Sequence, residues 1–281
     1  PIAYYTVIEN VTDLGIEKEE AYGLSDALAG KVKDTDVNTA GLTCVLRAYQ
    51  LFAVKYILAQ KRVLLGDEMG LGKTIEAIAS MVALRNRGKS RFMVVCPASV
   101  LVNWCREIDR HSNLSSYKCH GESILASLQT WREDGGVLVT TYETIRKFND
   151  GQDYFADMIV ADEAHYAKNP DAQRTKALVR LVSNTEYALY MTGTPLENRV
   201  SEMCFLITCL NPEIGASLRK TRNLVFSSAF QDKIAGVYFR RKREDVLDEL
   251  PDLIESEEWL LMTKDDYVHY VEAVGSKNFM A

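Results

Sequence analysis

Gly66-Asp67-Glu68-Met69-Gly70-Leu71-Gly72-Lys73-Thr74 follows the apolar run Val63-Leu64-Leu65 and opens a stretch, Ile75 to Val82, whose apolar residues return every three to four positions. A strand, a glycine-rich turn and a helix follow one another. In that setting glycines let backbone N–H groups close around phosphate, and the helix N-terminus adds a positive partial charge. Lys73 is placed to reach the β- and γ-phosphates, its ammonium facing solvent, and the Thr74 hydroxyl to ligate Mg2+. One position departs from the general pattern. A first glycine would stand with four residues between it and Gly72-Lys73, and the chain has Asp67 there. A chance glycine-rich turn would account for the glycines but not for Gly-Lys-Thr at a helix start.

Downstream, the same alternation continues. Phe92–Cys96, Val137–Thr140, Met158–Ala161 and Tyr187–Met191 are short apolar runs without polar alternation, which suits strands buried on both faces of a parallel sheet. Helical periodicity fills the gaps over Leu101–Ile108, Ile124–Trp131 and Asp171–Val182. The fold class is therefore α/β, a mostly parallel sheet between helices. After Thr194-Pro195 the strands stop and Glu197 to Phe239 reads as helix.

Composition narrows the function classes. With 47% apolar and 26% charged residues the chain is ordinary globular material. No apolar run approaches the ~20 residues of a membrane span, and the first residues lack a signal peptide's basic start and apolar core. Six cysteines include no Cys-x-x-Cys pair and the four His lie far apart, so no zinc cage is expected and buried free thiols are. The net charge of −6 hides an uneven spread: residues 1–43 carry −5, residues 244–281 carry −9, and the stretch between them +8. Phosphate contacts depend on local basic surface, so the acidic sum does not exclude nucleic acid. Two basic runs, Arg85 to Arg91 and Arg240 to Arg243, would serve as long-range attraction or as solvated helix ends.

Asp162-Glu163-Ala164-His165 closes the run Met158–Ala161, 89 residues after Lys73. A nucleotide-hydrolysing site needs one carboxylate for the metal, here Asp162, and one to orient the attacking water, here Glu163. With Lys73 they form the candidate catalytic set.

Asp67–Thr74, Asp162–His165 and Met191-Thr192-Gly193-Thr194-Pro195-Leu196-Glu197-Asn198-Arg199 together resemble the first ATPase lobe of the Swi/Snf-type family of helicase-like DNA translocases in superfamily two. Leu46 to Gln50 resembles that family's glutamine motif, Val94 to Trp104 its motif Ia, Val139 to Glu143 the next strand-end motif, and Phe239 to Val246 with Leu250-Pro251 the stretch that closes the lobe. The resemblance implies a RecA-like nucleotide-binding lobe that uses ATP and Mg2+. Cofactor contacts would fall on Arg47, Gln50 (reading adenine), Asp67, Glu68, Met69, Gly70, Leu71, Gly72, Lys73 and Thr74, with Thr74 and Asp162 at the metal. It further implies that His165, Thr192, Gly193 and Thr194 couple the nucleotide site to a double-stranded-DNA site. Small hydroxyl residues at strand ends can grip phosphates without reading bases, which nominates Ser99, Asn103, Thr141 and Tyr142. Capping of the following helix is the competing reading for each.

The expected organisation is an N-terminal extension (1–43), a RecA-like ATP-binding lobe (44–196), a helical insertion (197–240), and the end of the lobe with the start of a connection to a second lobe (241–281). A second RecA-like lobe is the implied partner beside double-stranded DNA, and the chain reads as a fragment of a longer enzyme. Its compartment would be the nucleus in a eukaryote and the cytoplasm in a bacterium or archaeon, without secretion. Two rivals remain: the lobe of a DEAH-box RNA helicase, and a nucleotide-sensing scaffold without productive turnover.

Overall fold

A computed structural model describes residues 24–148, 154–193, 200–219, 228–249 and 264–275. Its centre is a seven-stranded sheet in which every pairing is parallel. The strands are β1 (Arg62–Leu65), β2 (Arg91–Cys96), β3 (Ser116–Cys119), β4 (Gly136–Thr141), β5 (Met158–Ala161), β6 (Tyr187–Met191) and β7 (Tyr238–Phe239), arranged β3-β4-β2-β5-β6-β1-β7. The helices in chain order are α1 (Asp26–Lys33), α2 (Ala48–Gln60), α3 (Lys73–Asn86), α4 (Leu101–His111), α5 (Ile124–Asp134), α6 (Gln173–Ser183), α7 (Val200–Leu210), α8 (Pro212–Arg219), α9 (Ser228–Ile234) and α10 (Lys264–Gly275).

The unbroken apolar runs are explained by burial on two sides. Val63, Val94, Val139, Val160 and Leu189 join one core with α1 to α4. Their chain neighbours Leu64, Met93, Leu138, Ile159 and Ala188 join the other, with α5 to α9. Period-2 geometry sends successive side chains to opposite faces, so a strand covered on both faces has no place for polar alternation. α2 is buried along most of its length, from Tyr49 to Leu58, which is why it reads as an apolar stretch rather than an amphipathic one.

Two strands were not expected from the sequence. β3 and β7 are the sheet's two edges. β3 is four residues of mixed exposure, and β7 is two residues inside the stretch read as helix from Glu197 to Phe239. An edge strand lacks the two-sided burial that produced the signal elsewhere. Among the described residues, those up to Glu249 form one compact unit, and α10 belongs to another. Helices α7 to α9 contribute Leu206, Ile207, Leu210, Leu218 and Phe230 to the core shared with α5 and α6.

Parallel pairing brings every strand's carboxyl end to one edge. Leu65 pairs with Met191, Ala161 with Tyr190, and Cys96 with Thr141. The turns carrying the sequence motifs follow β1, β2, β4, β5 and β6, so they gather where open α/β sheets bind ligands.

Candidate nucleotide site

In the turn after β1, Gly70 and Gly72 take φ of +90° and +88°, a region open to glycine at little cost. A Cβ on Gly72 would also collide with the Gln50 amide. The turn is held from one flank by α2, where Tyr49 Oη and Gln50 Nε2 both donate to the Leu71 carbonyl, at 3.1 and 3.2 Å. Gln50 Oε1 accepts the Arg47 N–H at 3.1 Å. Gln50 has one amide hydrogen and one lone pair beyond these two bonds. The Leu71 side chain is buried, whereas Met69 at the turn's tip is 70% exposed.

Asp67 is a correction to the sequence reading. Its carboxylate is fully buried and taken up by Arg241, through the backbone N–H at 2.8 Å, Nε at 3.0 Å and a further contact from a terminal guanidinium nitrogen. That same nitrogen donates to Glu76 Oε1 at 2.7 Å, and the guanidinium packs over the rings of Tyr49 and Phe239 at 5.1 and 5.0 Å. The acid that replaces the expected glycine therefore ties the loop to the chain leaving β7. Gly66 N–H to Phe239 O at 2.8 Å and Glu68 N–H to Arg241 O at 3.0 Å continue the zipper, and Glu68 Oε2 accepts the Arg243 N–H at 2.7 Å. Burial raises the Glu76 carboxyl pKa, and the Arg241 guanidinium pulls it back down. Arg241 is neither long-range attraction nor a solvated helix end.

Lys73 also differs from expectation. Its ammonium is half-buried and donates to the carbonyls of Asp67 at 2.6 Å and Glu68 at 3.1 Å. Burial lowers its pKa, and the nearby Asp67, Glu163, Glu76 and Asp162 carboxylates oppose that shift. The turn after β1 and the turn after β5 thus share one electrostatic site.

In the β5 turn, Asp162 Oδ2 accepts the Trp104 indole N–H at 2.8 Å and Oδ1 accepts the Glu163 N–H at 3.0 Å. Burial raises the Asp162 pKa, and the indole hydrogen bond counters it. Glu163 stands in the left-handed region at φ +50°, ψ +54°, where a non-glycine residue costs of order 1–3 kcal/mol. Its Oε2 lies 3.1 Å from His165 Nδ1 without hydrogen-bond angles, and both atoms are buried without a hydrogen-bond partner among the described residues. An acid held in strain with an unsatisfied oxygen is suited to taking a proton from an incoming water.

β6 lies between β5 and β1, so the turn after it separates the two halves of the site. Thr192 is fully buried and donates its N–H to Leu65 O at 3.0 Å. A Cβ on Gly193 would come within 2.7 Å of Met69 Cγ and 3.7 Å of Lys73 Nζ. His165, Thr192 and Gly193 are therefore all at the site; Thr194 lies outside the described residues.

The residues nominated for DNA divide. Ser99 and Asn103 are exposed, in the turn after β2 and the first turn of α4. Thr141 and Tyr142 are corrections, because both are buried. Thr141 Oγ1 accepts the Thr144 N–H at 3.1 Å and bonds the Thr144 hydroxyl at 2.9 Å, which is local turn capping. Tyr142 donates to the Asp162 carbonyl at 2.8 Å and stacks on Tyr166, supporting the turn after β5 from behind. The basic run Arg85–Arg91 lies at the other end of the sheet, where Arg85 bonds Asn113 and Lys89 pairs with Glu186 and Asp157. Positive charge gathers instead where Arg146, Lys147, Lys176 and Arg180 line an open cleft with Glu143. Sequence reasoning missed that cleft, since its cations come from segments 30 residues apart.

The residues fit a nucleotide with Mg2+. Two glycines form a turn whose space Cβ atoms would fill, Thr74 stands in the first turn of α3, and the half-buried Asp162 keeps lone pairs beyond its two hydrogen bonds. Among the described residues no three His, Cys, Asp or Glu side chains converge to hold an ion.

The all-parallel sheet and the glycine turn after β1 define a RecA-like lobe. The chain belongs to the SNF2-related family, whose family model matches residues 49–280. It is 28% identical over 273 residues to the ATP-dependent helicase fft1 of Schizosaccharomyces pombe, covering 86% of this chain and 28% of that protein. It is 34% identical over 202 residues to the mouse chromodomain-helicase-DNA-binding protein 1-like, covering 67% and 22%. Among solved structures, the Sulfolobus solfataricus SWI2/SNF2 ATPase core in complex with double-stranded DNA superposes with a TM-score of 0.66 at 26% identity, covering 85% of this chain and 54% of that one. The chain thus spans about a quarter of those two relatives and about half of that core.

Lys73→Ala removes the charged donor of the phosphate turn, and hydrogen bonds to charged groups contribute about 1.5–3 kcal/mol each. ATP affinity by calorimetry is expected to fall about tenfold or more. Because Lys73 also ties two loop carbonyls, a small drop in melting temperature should accompany it, where a solvent-facing lysine would produce none.

Proposed function

We propose that this chain is the first ATPase lobe of a double-stranded-DNA-dependent translocase. It binds Mg-ATP along the turns after β1 and β5 and works with a second RecA-like lobe to turn hydrolysis into movement along duplex. The observation that carries this reading is the convergence of Lys73, Asp162, Glu163 and Gly193 at one sheet edge, with Ser99 and Asn103 exposed in the neighbouring turn.

Each residue has a definable task. The glycine turn and Lys73 neutralise phosphate charge, and Thr74 and Asp162 would hold Mg2+, which supplies Lewis-acid polarisation of the phosphoryl oxygens. Glu163 takes the water's proton at Oε, and His165 stands beside that oxygen. Thr192 and Gly193, contacting the β1 end and the phosphate turn, relay a change at one to the other. Residues 44–196 form the ATP-binding part of the lobe, 197–240 its helical addition and 241–281 the path toward the partner lobe, with 1–43 as an extension. A eukaryotic parent would act in the nucleus.

The test is steady-state ATPase of the chain, and of the same lobe joined to its second lobe, with duplex DNA, single-stranded DNA or duplex RNA. Half of the positioning groups for the transferring phosphoryl would come from the partner lobe, so the chain alone should turn over orders of magnitude more slowly and gain little from DNA. The joined form should respond to duplex DNA. Robust DNA-stimulated turnover by these 281 residues alone would mean the machinery is misplaced, stimulation by RNA alone would favour the helicase reading, and no turnover by the joined form would favour a scaffold.

A further inference from the structure

Two tryptophans are buried in the described core, and their indoles are used differently. Trp131 on α5 donates Nε1–H to the Gly136 backbone carbonyl at 3.1 Å, a contact that closes its own helix onto β4. Trp104 on α4 donates Nε1–H at 2.8 Å to a carboxylate oxygen of Asp162, which lies 58 residues away in the catalytic turn. A buried indole needs an acceptor, and a phenylalanine would fill similar space without that need. Here the acceptor is the acid assigned to the metal.

We propose that Trp104 is a positioning residue for the magnesium carboxylate, its indole N–H holding Asp162 in one rotamer. The proposal rests on the nucleotide-site reading above. Asp162 carries one donor on each oxygen, Trp104 on Oδ2 and the Glu163 N–H on Oδ1. With both oxygens engaged the carboxylate cannot rotate freely, and each keeps a lone pair for a metal or its water. Donors behind a ligating group commonly set metal affinity in this way, their loss costing about 10–100-fold. The placement has a second consequence. α4 exposes Asn103 beside Trp104, and the turn before it exposes Ser99. A ligand shifting α4 on that face reaches Asp162 through a single side chain.

The experiment is calorimetric titration of the chain with ATP, in Mg2+ and in EDTA, for the native protein, Trp104→Phe and Trp131→Phe. Trp104→Phe should lose about tenfold of the affinity gained from Mg2+ and leave binding in EDTA unchanged. Trp131→Phe should lower the melting temperature and keep the full Mg2+ gain. In an Asp162→Asn background, Trp104→Phe should remove nothing further from that gain, since coupled residues are non-additive. Should Trp104→Phe fail to melt cooperatively, benzothienylalanine at position 104 keeps the indole's shape without its N–H and should show the same loss. Equal losses with and without Mg2+, an undiminished Mg2+ gain, or the same pattern from Trp131→Phe would overturn the proposal. A native chain whose ATP affinity ignores Mg2+ would overturn the site reading itself.

Discussion

In the lobe joined to its second lobe, Glu163→Gln should bind Mg-ATP as the native form does and hydrolyse it about 10²–10⁴-fold more slowly, the usual span for a lost general base. The substitution keeps shape and one acceptor oxygen, so affinity is a fair control. Single-turnover hydrolysis, beside calorimetric binding, separates the two quantities. The backbone supplies a second arm. Glu163 sits at φ +50°, a conformation that asparagine tolerates better than glutamate. Glu163→Asn should therefore lose hydrolysis equally while its melting temperature stays level or rises, as expected where strain is stored for function. Native turnover in Glu163→Gln would remove Glu163 from its role.

The second large effect is on stability. Arg241→Ala leaves Asp67 and Glu76, both fully buried, without their shared cation. Removing one partner of a buried ion pair costs about 3–5 kcal/mol, against a total stability of about 5–15 kcal/mol for a typical domain. Thermal melting should fall sharply, or the chain should fail to fold. Arg241→Met combined with Asp67→Leu and Glu76→Met removes all three charges together, and buried networks replaced as a set are often neutral or stabilising. That triple variant should regain most of the melting temperature and still bind ATP more weakly, because the Arg241 bonds to Asp67 that tie the chain after β7 to the phosphate turn are lost. Native-like melting of Arg241→Ala would show that the triad holds nothing in place.

This triad also marks where sequence reading stopped. Lys73, Asp162 and Glu163 were legible because each belongs to a short motif whose chemistry dictates residue type and spacing. The partner of Asp67 is 174 residues away, and no local pattern connects them. Two signals were present: an acid in place of a glycine, and Glu76 in an otherwise apolar helical stretch, which together leave two buried carboxylates in need of a base. The central strands were legible because two-sided burial writes an unbroken apolar run, whereas β3 and β7 lie at edges. Thr141 and Tyr142 show a different limit. A hydroxyl after a strand reads alike whether it grips phosphate or caps its own turn, and only the three-residue reach to Thr144 and the burial of Tyr142 decide it.

The most direct measurement is titration of the native 281-residue chain with ATP, in the presence and absence of Mg2+, followed by calorimetry. Saturable one-to-one binding, tightened by Mg2+ and lost from Asp162→Asn to the extent that Mg2+ had tightened it, is the expected result. Absence of binding, or binding indifferent to both Mg2+ and Asp162, would contradict a single nucleotide site built from the turns after β1 and β5.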